Sequence, residues 1–191
     1  MQYTQFTKGY SLIETLVAVS VLLIATVGPL TIAAKGIQVA RNAQQQVTAT
    51  FLAQEGIEAV VAARNNSILA AFDAEIAGTG DLSDSWDWVD DPRLAPCFAA
   101  GCNLDFKGAD TTNRVRSCAS GECAVHYYDG DYVPYGTNNA GVPTPYTRVI
   151  NLTAVGSGEV RITSTVSWNS TLYRSAPESV TLHSTVFSLY E

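Results

Sequence analysis

The chain has 191 residues, 47% of them apolar and 15% charged, which suits one folded domain with a core and excludes a wholly disordered protein. Eighteen acidic residues outnumber eleven basic ones, for a net charge of −7, and the basic residues are scattered. Direct nucleic-acid binding is therefore disfavoured, because phosphate contacts need grouped Lys and Arg.

Residues 1–9 are short and polar, and their one charge is Lys8. From Tyr10 to Ala34 the only side chain charged at neutral pH is Glu14. As a helix these 25 residues span about 37 Å, enough to cross a hydrocarbon core of about 30 Å. The run predicts a membrane-spanning helix over 10–34. A secretory signal carries its cut after the apolar region. Here the candidate cut, after Gly9, precedes it, so cleavage leaves the helix on the mature chain behind a new N-terminus at Tyr10. The net charge then becomes −8, because Lys8 is lost.

A carboxylate in an apolar helix costs about 2.5–3.5 kcal/mol to insert, so Glu14 needs a partner. In one reading, Ser11-Leu12-Ile13-Glu14 is a capping box that satisfies free amides near the headgroups. In the other, Glu14 pairs with the N-terminal amine of a neighbouring subunit's Tyr10. On the residues alone the two stand level, and they are compatible.

Lys8-Gly9, the aromatic Tyr10, Ser11-Leu12-Ile13-Glu14 and the hydrophobic helix together resemble the class III signal of type IV pilins and pseudopilins. The resemblance is specific from Lys8 to about Ala34 and looser to Arg64. It implies that a prepilin peptidase cuts after Gly9, that Tyr10 is N-methylated, and that Glu14 serves assembly through the pairing reading. It also implies an α+β, pilin-like fold, with a long N-terminal helix, half transmembrane and half amphipathic, packed on a C-terminal antiparallel sheet of three or more strands.

Gly28-Pro29 is expected to kink or locally unwind the helix, since proline lacks an amide and clashes with the preceding turn. Residues 35–64 read as an amphipathic continuation. Ile37, Ala40, Ala43, Val47, Phe51, Ile57 and Val61 recur at mostly helical spacing and form the expected packing stripe. The heptad is too irregular to favour a coiled coil. Asn65-Asn66-Ser67 is the expected stop.

Residues 65–145 are predicted to be irregular, with a short helix over 68–77 and an acidic stretch, Asp81, Asp84, Asp87, Asp90 and Asp91, around Trp86 and Trp88. Its spacing does not match an EF-hand loop, and neither does Asp129-Gly130-Asp131, so a solvated acidic loop is preferred to a calcium site. Cys97 and Cys102, like Cys118 and Cys123, are separated by four residues. Outside the cytoplasm such thiols are expected to oxidise. Four cysteines allow three pairings, of which the local one is favoured over crossed ones. A single zinc site is disfavoured, because the gap sits at the limit of the usual spacing.

Residues 146–191 carry the clearest β pattern, with strands expected over 146–155, 159–168 and 179–190. In the second, Val160, Ile162, Ser164, Val166 and Trp168 face one way. Gly156-Ser157-Gly158 provides a tight connection, and the strands form an antiparallel meander that covers the helix stripe.

No nucleophile elbow, HExxH, P-loop or dinucleotide fingerprint occurs, and His126 and His183 are the only histidines. No cofactor, metal or catalytic residue is expected, and the chain is not read as an enzyme. The preferred function is a structural subunit, minor rather than major, of a type IV pilus or pseudopilus. Its expected partners are like pilin subunits, a prepilin peptidase and the cytoplasmic membrane. The globular part would lie outside the cytoplasm, and later on a cell-surface pilus or envelope pseudopilus, with the secretion or uptake system it serves left open. The alternative is a pilus-tip adhesin that binds through residues 65–145, with Trp86, Trp88, Tyr127, Tyr128 and Tyr132 as aromatic anchors. A membrane-anchored envelope enzyme ranks last.

Overall fold

The computed structural model describes residues 9, 11–104, 115–121, 123–134, 141–169 and 177–188, excepting the side chains of Ser83, Asp84 and Ser120. The chain divides into two compact units, Met1–Gln44 and Gln45–Glu191. One helix, α1 (Leu12–Ile76), provides the described helical residues of the first unit and the packing helix of the second.

The helix runs without interruption through Gly28 and Pro29, so of the kink or unwound turn expected there the unwound turn does not occur. Proline withdraws one amide from the ladder. One missing bond among good helix formers does not outweigh cooperative propagation on both sides. The stop expected at Asn65-Asn66-Ser67 is not used either, and α1 continues to Ile76, absorbing the separate short helix expected over 68–77. Asn and Ser cost at most about 0.7 kcal/mol each in a helix, and Ile68, Leu69, Ala70 and Ala71 follow them. The helix ends at Gly78, whose φ of 70° suits glycine. There the Thr79 amide donates to the Ala74 carbonyl (2.9 Å) and the Gly78 amide to that of Glu75 (3.0 Å), a Schellman closure.

Seven strands are present among the described residues: β1 (Cys102–Leu104), β2 (Val115–Ser117), β3 (Ala124–Tyr128), β4 (Asp131–Pro134), β5 (Val142–Gly156), β6 (Glu159–Trp168) and β7 (Glu178–Phe187). All pairings are antiparallel, and the fold is α+β as expected. β5 is central. One edge pairs with β6 from Tyr146↔Trp168 to Ala154↔Val160, and the other is shared by β3 at Thr147 and β1 at Ile150. β2 lies beyond β1, β4 beyond β3, and β7 beyond β6.

Ser157-Gly158 joins β5 to β6, close to the expected turn. Asp129-Gly130 joins β3 to β4 with φ of 48° and 88°, the two left-handed residues that a tight hairpin requires. Residues 65–145 are thus less irregular than expected, since they contain four strands and the start of a fifth. Those strands have three to five residues each, too few for alternation to declare them.

The helix face that meets the sheet is not the expected one. Ala49, Leu52, Ala53, Gly56, Ala59 and Val60 are buried, Ile57 and Val61 are partly so, and Ala40 and Ala43 are exposed. Ile37, Val47 and Phe51 are 57%, 55% and 68% exposed. The close approach of the sheet selects small residues: a Cβ on Gly56 would lie 2.6 Å from Ser164 Oγ and 3.2 Å from Ile150 Cδ1. One core cluster joins Ala59 and Val60 to Ile150, Leu152, Val160, Ile162 and Val186. A second joins Ala49, Leu52 and Ala53 to Val125, Tyr146, Val166 and Trp168.

Candidate functional site

Gly9 is exposed, whereas Tyr10 lies outside the described residues, as does the new N-terminus it would form. The Ser11 carbonyl accepts hydrogen bonds from the amides of Glu14 (3.0 Å) and Thr15 (3.2 Å), so the helix starts at Leu12 with Glu14 in its first turn. A carboxylate there complements the partial positive charge of the free amides.

Every described side chain from Leu12 to Ala34 is exposed, although the stretch is strongly apolar. An 18-residue window of α1 has a mean hydropathy of 2.3 and no buried share, and the helix is long and apolar enough to cross a membrane. Its hydroxyls are paired within the helix. Thr15 donates to the Leu12 carbonyl (2.8 Å), Ser20 to Val17 (2.8 Å), Thr26 to Leu22 (3.0 Å) and Thr31 to Val27 (2.8 Å). Such pairing lets hydroxyls sit in hydrocarbon without exposed donors. Glu14 remains the one group in this stretch whose charge calls for an outside partner.

In the second unit the four thiols form two local pairs, Cys97 with Cys102 (Cα–Cα 4.6 Å) and Cys118 with Cys123 (5.1 Å). The first pair is fully buried in the core cluster beside β1. Part of the acidic stretch is a 3₁₀ segment, Leu82–Asp90, which drives Trp88 into the core with Trp86 packed edge-on against it (5.5 Å). After it, the Arg93 guanidinium holds the Asp91 carboxyl below the usual carboxylate range, mainly through its side-chain hydrogen bonding, with Nε 2.9 Å from both carboxylate oxygens. Among the described residues no group of three or more His, Cys, Asp or Glu side chains is placed to hold a metal ion.

Of the five aromatic anchors expected, Trp88 is core and Trp86 packs on the core, so neither is a free contact. Tyr127 and Tyr128 are exposed. Tyr132 stacks edge-on with Tyr127 (5.4 Å) and with Tyr146 (6.2 Å), which in turn meets Trp168 (6.3 Å). Burial raises the Tyr146 phenol above its ordinary range, and its hydroxyl donates to the Gln45 carbonyl (3.4 Å). His126 Nδ1 lies 3.2 Å from the Gly141 carbonyl, and His183 Nδ1 lies 3.1 Å from Thr163 Oγ1, which gives each a local polar partner.

The sequence reading missed the polar centre of the second unit. Arg148 of β5 is almost fully buried, with Nε donating to Asn103 Oδ1 (2.7 Å) and Nη2 to the Leu104 carbonyl (2.7 Å) on β1. Its Nη1 reaches the Leu52 carbonyl (3.3 Å) and Glu55 Oε2 (3.0 Å) on α1. One guanidinium therefore ties helix, central strand and β1 together. The cue was an arginine at an inward position of a strand, between Tyr146 and Ile150.

No family model, curated protein or solved structure matches this chain.

Proposed function

We propose that this chain is a structural subunit of a type IV pilus or pseudopilus, held in a membrane by the N-terminal half of α1 and assembled with like subunits through that helix. The carrying observation is an apolar segment, Leu12–Ala34, whose side chains are all exposed and which bears one carboxylate in its first turn. The same helix then continues into the second unit and packs on an antiparallel sheet. A lone anchor needs lipid-facing residues but has no use for a carboxylate at membrane depth. A helix that exchanges lipid for copies of itself has one, because the carboxylate can then meet a neighbour's amine. Lys8-Gly9 ahead of the helix fits removal of the preceding residues.

Mass spectrometry of membrane and surface-sheared fractions tests the reading. The expected result is a methylated N-terminus at Tyr10 and the protein in a polymeric surface or envelope fraction. An intact Met1 start in functional material, or a protein never found outside the membrane pool, overturns it.

A further inference from the structure

Beside α1 in the second unit lies a groove of about 560 Å³, lined among others by Phe51, Leu52, Glu58 and Tyr132. Phe51 is 68% exposed, an unusual state for an aromatic ring on a helix that packs a core. Glu58 stands seven residues on, two turns along the same side, exposed and hydrogen-bonded by Gln54 Nε2 (3.1 Å). The groove is thus aromatic at its N-terminal end and acidic at its C-terminal end.

Charge is divided unevenly along the chain. Residues 45–191 hold 17 acidic and eight basic residues, a net of −9, whereas residues 10–44 hold Lys35 and Arg41 against Glu14, a net of +1. Ile37 and Arg41, four residues apart, share one side of the helix, and both are exposed. In chain direction, one stretch offers an aliphatic group and then a cation, and the other offers an aromatic group and then an anion.

We propose that this groove receives a second copy of the chain. The helix around Ile37 and Arg41 lies parallel to the α1 that lines the groove, offset by about 14 residues or about 21 Å. Ile37 then covers Phe51 and Tyr132, and Arg41 reaches Glu58. The parallel direction follows from the order of the groups, since an antiparallel helix would set the cation over the ring end and the aliphatic side chain against the carboxylate. The contact rests on the chain being a subunit of a polymer, and it specifies which surfaces meet.

The test uses the full-length chain with its cystines intact. Ile37→Cys with Phe51→Cys, oxidised after assembly, is expected to give chains linked copy to copy in a ladder. Arg41→Glu and Glu58→Arg are each expected to lower incorporation by about tenfold, and their combination to restore it. Polymer that forms normally but neither cross-links nor responds to the charge reversals overturns this contact while leaving the function in place. Absence of any polymer from the wild-type chain overturns the function reading itself, and the contact with it.

Discussion

Arg148 Nη1 and Glu55 Oε2 lie 3.0 Å apart, and the arginine is almost wholly buried while the glutamate is 38% exposed. The pair is asymmetric, because the cation also depends on Asn103 and on the carbonyls of Leu52 and Leu104. Arg148→Ala leaves those acceptors inside the protein without a donor and is expected to cost about 3–5 kcal/mol. Glu55→Gln, at a position partly open to water, removes a negative charge from beside the guanidinium but keeps an acceptor for it, and should cost less than Arg148→Ala. Urea unfolding followed by near-ultraviolet circular dichroism separates the two, and equal losses would refute the asymmetry.

Gly56 marks where helix and sheet come closest. An added methyl meets Ser164 Oγ at 2.6 Å, while Ser164 Oγ is itself buried with no hydrogen-bond partner among the described residues. Gly56→Ala gains about 1 kcal/mol of helix propensity but meets an overpacking cost of about 1–3 kcal/mol, so a net loss is expected. Ser164→Ala removes the orphan hydroxyl and relieves the clash. It should be neutral or stabilising alone and should reduce the cost of Gly56→Ala. An additive double-mutant cycle would argue against direct contact.

These two sites show where the sequence was legible and where it was not. The alternation in β6 placed Val160, Ile162, Ser164, Val166 and Trp168 on one face, and all five are buried. The continuous rise of Leu12–Ala34 was equally plain, because polarity alone decides it. The packing stripe was misread because Ile37, Val47 and Phe51 were taken as part of the contact, whereas the face that meets the sheet is built from Ala49, Ala53, Gly56 and Ala59 together with Leu52 and Val60. Arg148 escaped notice because its burial depends on Asn103 and Leu104, some 44 residues away in sequence. The β3–β4 hairpin could have been found, since Asp129-Gly130 is a strong turn signal.

The Asp91–Arg93 pair makes the 3₁₀ stretch acid-sensitive. The hydrogen bond from Arg93 lowers the Asp91 carboxyl below its unfolded value, outweighing the opposing effect of burial. Its contribution is therefore present above about pH 4 and is lost as pH falls through the folded value. Tryptophan emission, reporting Trp86 and Trp88 just before the pair, should change on that acid limb. Asp91→Asn should flatten the change, and an unaltered limb in that variant would remove the pair as its cause.

The two cystines should differ in resistance to reduction. Cys97 and Cys102 are both fully buried, whereas Cys118 is half-buried. Attack by a thiolate requires access to sulfur. Mild reduction of the native chain followed by alkylation is expected to label Cys118 and Cys123 first, with Cys97 and Cys102 labelled only on unfolding. Simultaneous labelling of all four thiols under native conditions would contradict this order.

Glu14 carries the sharpest functional test, because two roles predict different outcomes for one substitution. As a first-turn carboxylate it stabilises the helix start by about 0.3–1 kcal/mol, an effect confined to the isolated subunit and small beside the apolar burial that would hold such a helix in lipid. As the partner of a neighbour's amine it acts only where two copies meet. Glu14→Gln keeps size and hydrogen-bonding capacity but removes the charge, so membrane content and the N-terminus proposed at Tyr10 should stay as in the unsubstituted chain. If pairing governs assembly, incorporation into polymer should fall by about tenfold or more, the scale of losing one charge-assisted contact in a water-poor setting. Normal incorporation would leave capping as the sole role of Glu14.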